Sequence, residues 1–146
     1  MCPRSVTTGS EDGTVKVWRD GACERTILAH PDNVRSMAML PGGARFVSVS
    51  RDHTAKLWTI DGTLERTFRA HLPTMVKSVA ALPDGVHFLV GDFADRLTLF
   101  HVDGTLVHTF VGHRGTVYGV AVTRNGQHII SGSWDETVNV WNVASK

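Results

Sequence analysis

SRDHTAKLW, from Ser50 to Trp58, decides the fold, because the chain says it again and again. SEDGTVKVW closes on Trp18, DFADRLTLF on Phe100 and SWDETVNVW on Trp141, so the phrase recurs at spacings of 40, 42 and 41 residues. A period of this length marks an array of near-identical β modules, each too small to hide its own apolar face and completed by stacking on its neighbours. Function then belongs to the surfaces that the modules share and present.

Each copy reads as four short strands joined by turns. The first lies in NVRSMAML, MVKSVAAL and TVYGVAVT, where alternation places Val34, Ser36 and Ala38 on one face. Turn residues follow at Pro41-Gly42-Gly43, Pro83-Asp84-Gly85 and Arg124-Asn125-Gly126, and a second strand in RFVSVS, HFLVGD and HIISGS. The repeated phrase supplies a third strand after a short connection at Asp12-Gly13, Asp52-His53, Ala94-Asp95 and Asp135-Glu136. Asp20-Gly21, Asp61-Gly62 and Asp103-Gly104 predict two-residue hairpin turns into a fourth strand in CERTIL, LERTFR and LVHTFV. Val34 to Trp58, Val76 to Phe100 and Val117 to Trp141 each span 24 residues, and length varies only outside that stretch. Stacked sheets require this, since a one-residue shift inside a strand turns its side chains to the opposite face.

The 146 residues are 42% hydrophobic, an ordinary globular composition, and carry a formal charge of +1 from 15 Lys plus Arg against 14 Asp plus Glu. The two signs are mixed, so no basic stripe points to nucleic acid or to an anionic membrane. No apolar run approaches the roughly 18 residues a membrane helix needs, and MCPRSVTT lacks a secretory pattern. The expected setting is intracellular, cytoplasmic or nuclear, with no nucleic-acid or membrane partner. Cys2 and Cys23 have no motif spacing, so neither a disulfide framework nor a zinc site is expected.

The registered pattern of Ala-His or Gly-His, about two dozen residues, then Ser-x-Asp-x-Thr-x-x-x-Trp resembles the WD-repeat β-propellers over nearly the whole chain. Ala29-His30, Ala70-His71 and Gly112-His113 match the Gly-His element, while the Asp that follows Trp in the family is replaced by Arg19, Thr59, His101 and Asn142. The resemblance implies an all-β fold: a partial β-propeller of four-stranded antiparallel blades, two complete blades flanked by two incomplete ones. In a single domain over 1–146, blades are expected at 4–28 (strands b, c and d), 30–69, 71–111 and 113–143 (strands a, b and c). It also implies buried polar tetrads: His30, Ser48 or Ser50, Asp52 and Trp58, then His113, Ser131 or Ser133, Asp135 and Trp141. In such a tetrad the Asp accepts from turn N–H groups and imidazole, and the indole N–H finds an acceptor.

Ser, His and Asp also make up hydrolase triads. A triad occurs once and faces a cleft, whereas this set recurs with the repeat period beside core Trp residues, so its expected role is structural. There is no G-x-S-x-G elbow and no P-loop, the His residues lack metal-ligand spacing, and neither metal nor cofactor is expected. The third module departs from the pattern, with Asp92 at the Ser position, Ala94 for Asp, Arg96 for Thr and Phe100 for Trp. Asp92 or Asp95 is the candidate substitute there, and the departure reads as drift or as rigidity exchanged for a binding surface.

Without an inner strand at one end or an outer strand at the other, the sequence is expected to be a segment of a longer propeller. Missing blades would come from the same longer chain or from self-association. Partners in the family usually dock on the face carrying the d–a and b–c loops. Carried over by position, that face comprises Asn33 and Arg35, Met75 and Lys77, Thr116 and Tyr118, together with Glu11, Arg51, Phe93 and Trp134. Aromatic anchors beside cations are the types in which interfaces concentrate their energy, although Phe93 and Trp134 also suit packing between blades. The expected function is a non-catalytic scaffold presenting a rigid face to a protein or peptide. The alternative is a sensor or autoinhibitory segment of a larger enzyme or NTPase.

Overall fold

The computed structural model describes residues 5–69 and 74–145, in which fourteen strands form four antiparallel sheets. Cys2 and the Ala70-His71 element lie outside the described residues. The first sheet comprises β1 (Ser5–Gly9), β2 (Thr14–Arg19) and β3 (Ala22–Leu28). The second comprises β4 (Val34–Met39), β5 (Arg45–Ser50), β6 (Ala55–Thr59) and β7 (Leu64–Phe68). The third comprises β8 (Val76–Ala81), β9 (His87–Asp92), β10 (Arg96–His101) and β11 (Leu106–Val111). The fourth comprises β12 (Val117–Val122), β13 (His128–Ser133) and β14 (Val138–Asn142). Neighbours in sequence are neighbours in each sheet, so every unit is a meander.

Three apolar layers seal the sheets face to face. Val15, Val17 and Ile27 of the first meet Val34, Phe46 and Trp58 of the second. Val47, Val49, Ala55 and Leu57 of the second meet Val76, Phe88, Val90 and Phe100 of the third. Leu89, Leu97 and Leu99 of the third meet Val117 and Ile129 of the fourth. The innermost strands β4, β8 and β12 lie against one another in order, which makes the stack radial. Gly91 shows how close the approach is: a Cβ there would lie 2.7 Å from Val117 Cγ1.

Two expectations are corrected. Val34, Ser36 and Ala38 do not share a face: Val34 pairs with Ser50 but Ser36 with Val49, a bulge that leaves Arg35 without a partner across the ladder. Val34 therefore packs toward the first sheet and Ala38 toward the third. The same shift falls at Lys77 in β8 and Tyr118 in β12. Of the Asp-Gly hairpins, only Asp20-Gly21 is a two-residue turn, with φ of 52° and 80°. At Asp61-Gly62 and Asp103-Gly104 four residues separate the strands, because each Asp carboxylate instead accepts the N–H two residues on, from Thr63 (3.0 Å) and Thr105 (2.8 Å).

Candidate functional site

Two loops carry the same polar chain. In the second sheet His30 Nδ1 lies 2.8 Å from Asp52 Oδ2 and Nε2 lies 2.7 Å from Ser48 Oγ, while Trp58 Nε1 donates to that Oγ at 3.0 Å. Thr54 donates to Asp52 Oδ1 through its N–H (2.9 Å) and its hydroxyl (2.5 Å). One assignment of protons satisfies all of these contacts. The indole N–H donates to Ser48, the Ser48 hydroxyl to His30 Nε2, and the His30 Nδ1–H to Asp52. Imidazole is thus neutral and carboxylate ionised. Burial pushes the His30 imidazole below its ordinary value despite the nearby Asp52. Burial also raises Asp52, but hydrogen bonds from Thr54 and His30 outweigh it and hold the carboxyl below its usual range.

The fourth sheet repeats the chain with His113 Nδ1 to Asp135 Oδ2 at 2.9 Å, Nε2 to Ser131 Oγ at 2.7 Å, and Trp141 Nε1 to Ser131 Oγ at 2.8 Å. The Thr137 hydroxyl and the Arg114 N–H hold Asp135 far below the carboxylate range. Of the serine alternatives, Ser48 and Ser131 join the His and Trp. Ser50 and Ser133 instead accept from the N–H of Asp52 and Asp135 (both 3.1 Å) and donate to the carbonyls of Asp32 (3.4 Å) and Gly115 (2.8 Å). Ser48 and Ser131 are both 0% exposed, so no substrate carbonyl reaches either oxygen.

In the third sheet one residue does the work of two. Asp92, buried at the Ser50 position, accepts the N–H of Ala94 (2.8 Å) and of Arg96 (3.1 Å), bonds that Ser50 and Asp52 divide between them in the second sheet. Burial pushes its carboxyl up. Val90 and Phe100 replace the Ser–Trp pair with apolar groups, and both are buried. The first sheet holds an open version, with Trp18 Nε1 donating to Thr8 Oγ1 at 2.8 Å and Asp12 capping Thr14.

The same loops build the rim. In the second, third and fourth sheets the N–H of the residue before the turn Asp position donates to the carbonyl preceding the inner strand. Arg51 bonds Asn33 (3.0 Å), Phe93 bonds Met75 (3.1 Å) and Trp134 bonds Thr116 (2.9 Å). With its amide nitrogen turned toward the first sheet, Asn33 donates to Glu11 O at 2.7 Å. The bulge residues Arg35, Lys77 and Tyr118 stand beside these pairs. Trp134 is 71% and Tyr118 43% exposed, their ring centroids are 5.6 Å apart, and Lys77 Nζ lies 5.1 Å from the centre of the Tyr118 ring. Trp134 thus packs between none of the described sheets, while Phe93 is half-buried. Arg35 Nε is shielded from solvent with no hydrogen-bond acceptor among the described residues. Pairing of these aromatics with the rim cations was open to sequence reasoning, which missed the bulges that place Lys77 and Tyr118 together; for those only the broken alternation in VRSMA and VYGVA gave a signal. Among the described residues no group of His, Cys, Asp or Glu is arranged to hold a metal ion.

Antiparallel four-stranded sheets set radially and tied by a recurrent His–Ser–Asp–Trp chain define a β-propeller architecture, present here in part. The family described as "WD domain, G-beta repeat" matches residues 2–19, 21–59 and 104–142, more than half of the chain, and the chain belongs to that family. The matched ranges omit 60–103, the stretch that holds the departures of the third sheet. Similar proteins include the nuclear distribution protein nudF of Aspergillus niger, 35% identical over 69 residues (45% of this chain, 16% of that protein). Another is PAC1-2 of Uncinocarpus reesii, 41% identical over 56 residues (38% and 12%), and a third is nudF 1 of Talaromyces marneffei, 38% identical over 65 residues (42% and 14%). The chain thus spans less than a fifth of the length of these relatives.

Proposed function

We propose that this chain is a non-catalytic, intracellular interaction scaffold whose rim binds a peptide or protein segment carrying an acidic and an apolar group. The observation that carries this reading is the solvent-facing Trp134–Tyr118–Lys77 stack, continued by Arg35 and Arg51 on the same rim. A large aromatic held open by a backbone bond to Thr116 is preorganised for docking, and the adjoining cations favour carboxylates. The buried tetrads fix the loops that carry these side chains, which gives Ser, His and Asp a positioning role. Membership in the WD family supports a protein partner over a small substrate.

Selection of a random peptide library on the immobilised chain tests this reading. Enriched sequences should combine Asp or Glu with a bulky apolar residue. Arg35→Glu with Trp134→Ala should abolish capture of the selected peptides while leaving thermal unfolding nearly unchanged, since neither side chain belongs to the apolar layers between the sheets. Loss of cooperative unfolding in that variant, or selected peptides indifferent to it, would reject the assignment.

A further inference from the structure

Six linkages in the chain join Asp or Asn to Gly: Asp12-Gly13, Asp20-Gly21, Asp61-Gly62, Asp84-Gly85, Asp103-Gly104 and Asn125-Gly126. With no Cβ in the way, the main-chain nitrogen of such a Gly can reach the side-chain carbonyl carbon of the residue before it. The fold decides which of these pairs is free to meet.

In five of them both partners are held. Gly13, Gly62, Gly85, Gly104 and Gly126 donate their N–H to the carbonyls of Ser10 (3.1 Å), Thr59 (3.0 Å), Leu82 (3.3 Å), His101 (3.0 Å) and Thr123 (2.8 Å). The side-chain oxygen before each Gly accepts the N–H of the residue after it: Thr14 (2.9 Å), Thr63 (3.0 Å), Val86 (2.9 Å), Thr105 (2.8 Å) and Gln127 (3.1 Å). Hydrogen bonds led by those of the Thr14, Thr59 and Thr105 side chains also hold Asp12, Asp61 and Asp103 below the usual carboxylate range, which keeps them ionised, the form least open to attack.

Asp20-Gly21 differs on both counts. Among the described residues neither the Gly21 N–H nor the Asp20 carboxylate has a hydrogen-bond partner. The ladder resumes directly at Arg19 and Ala22, so this two-residue turn has no room for the bonds that cross the longer ones. The difference lies inside the turn and does not depend on what packs beyond the first sheet. Positive φ at Asp20 (52°) and Gly21 (80°) makes the turn type I′. Rotation of the central peptide alone converts type I′ to II′, taking Asp20 ψ from about +30° to about −120° and Gly21 φ to about −80°. At that ψ the Gly21 nitrogen eclipses the Asp20 Cβ, the alignment that a five-membered ring through Cγ requires. Gly tolerates either sign of φ, and the rotation breaks no hydrogen bond.

We propose that Asp20-Gly21 is a site of spontaneous main-chain isomerisation, at which Asp20 passes through a succinimide to isoaspartate. The Gly21 nitrogen forms a bond to Asp20 Cγ and gives up its proton, and the side-chain hydroxyl of the protonated carboxyl leaves as water. A water molecule then opens the ring, and attack at the main-chain carbonyl leaves the chain running through Cγ. One water leaves and one enters, with no oxidant and no cofactor. The product inserts a methylene into the turn, so Arg19 no longer sits opposite Ala22.

Asp20→Asn supplies the test, because it gives the chain two Arg-Asn-Gly sequences, at 19–21 and 124–126, in different surroundings. Asn-Gly suits a type I′ turn, so the fold should be kept. The folded variant is held in warm neutral buffer and mapped by mass spectrometry for conversion of amide to acid. Position 20 should convert about tenfold faster than Asn125, the factor expected where the Gly126 and Gln127 N–H bonds must break first. In urea the two rates should converge. In the unaltered chain aged in mildly acidic buffer, isoaspartate located by electron-transfer fragmentation should appear at Asp20 ahead of the other Asp-Gly linkages. Equal rates at the two Asn-Gly sequences of the folded variant, faster conversion of Asn125, or isoaspartate spread evenly over the Asp-Gly linkages overturns the proposal. So does a rate difference that persists in urea, because the fold would then not be its cause.

Discussion

Ser48→Ala leaves two buried groups stranded at once. Ser48 Oγ receives the Trp58 indole N–H at 3.0 Å and donates to His30 Nε2 at 2.7 Å, in a site with no exposure to solvent. Each orphaned buried polar group costs about 1–3 kcal/mol, so the substitution should destabilise the chain by about 2–5 kcal/mol. Trp58→Phe removes the stranded donor itself; it keeps an aromatic ring against Phe46, whose centroid lies 6.4 Å from that of Trp58, and should cost about 1–2 kcal/mol through lost packing and one lost bond. The double variant should then be more stable than the sum of the two losses predicts by about 1–2 kcal/mol, because no indole N–H is left unpaired. The third sheet is a natural precedent, with Val90 and Phe100 fully buried at these positions. Urea unfolding of the four proteins measures the coupling as shifts in midpoint at constant slope. Strict additivity would refute the account, as it would mean that Ser48 and Trp58 do not depend on each other.

Other outcomes follow from the same geometry. His30 and Asp52 both bind protons less readily when folded than when unfolded, so stability should fall as pH drops below about 6.5, where unfolded histidine charges, and again below about 4. A melting temperature constant or rising from pH 7 to 5 would contradict this. The buried Asp92 has the opposite sign: burial raises its carboxyl, so its contribution is present at low pH and lost as pH rises. Asp92→Asn, which still accepts from Ala94 and Arg96, should therefore lie within about 1 kcal/mol of the parent, while Asp52→Asn sets an amide N–H against the His30 N–H and should cost about 1–3 kcal/mol in denaturant titration. The turn position of Gly13 (φ 83°) is held by His53 (70°), Asp95 (67°) and Glu136 (68°) in the other sheets. His53→Gly should stabilise by about 0.5–1 kcal/mol through relief of the left-handed backbone, whereas Gly13→Ala, with its Cβ 2.1 Å from the His30 carbonyl oxygen, should destabilise markedly in the same assay.

Much of this site was legible without coordinates because the repeat makes each loop a comment on the others. His30, Asp52 and Trp58 stand at the same mutual spacings as His113, Asp135 and Trp141, so a chance coincidence of polar residues was already excluded. The choice between Ser48 and Ser50 was not legible. Both are buried and both belong to β5, and only the pairing of Ser48 with Lys56, two residues from Trp58, brings its hydroxyl under the indole. Asp92 was one of the two candidate substitutes in the third sheet, and its choice over Asp95 was not legible, since it depends on how the turn folds around one carboxylate.

By itself the order of amino acids determined the number of sheets, their strand order and the loops that carry the rim, because hydrophobic alternation, Gly-containing turns and a fixed 24-residue span are local properties of the chain. Only the tertiary structure decided what is covered. Ile130, Val138 and Val140 alternate just as Val47, Ala55 and Leu57 do, yet the first three are open to solvent and the last three are sealed. Burial is a property of the neighbouring sheet and strand, and no pattern within a strand records whether that neighbour is there.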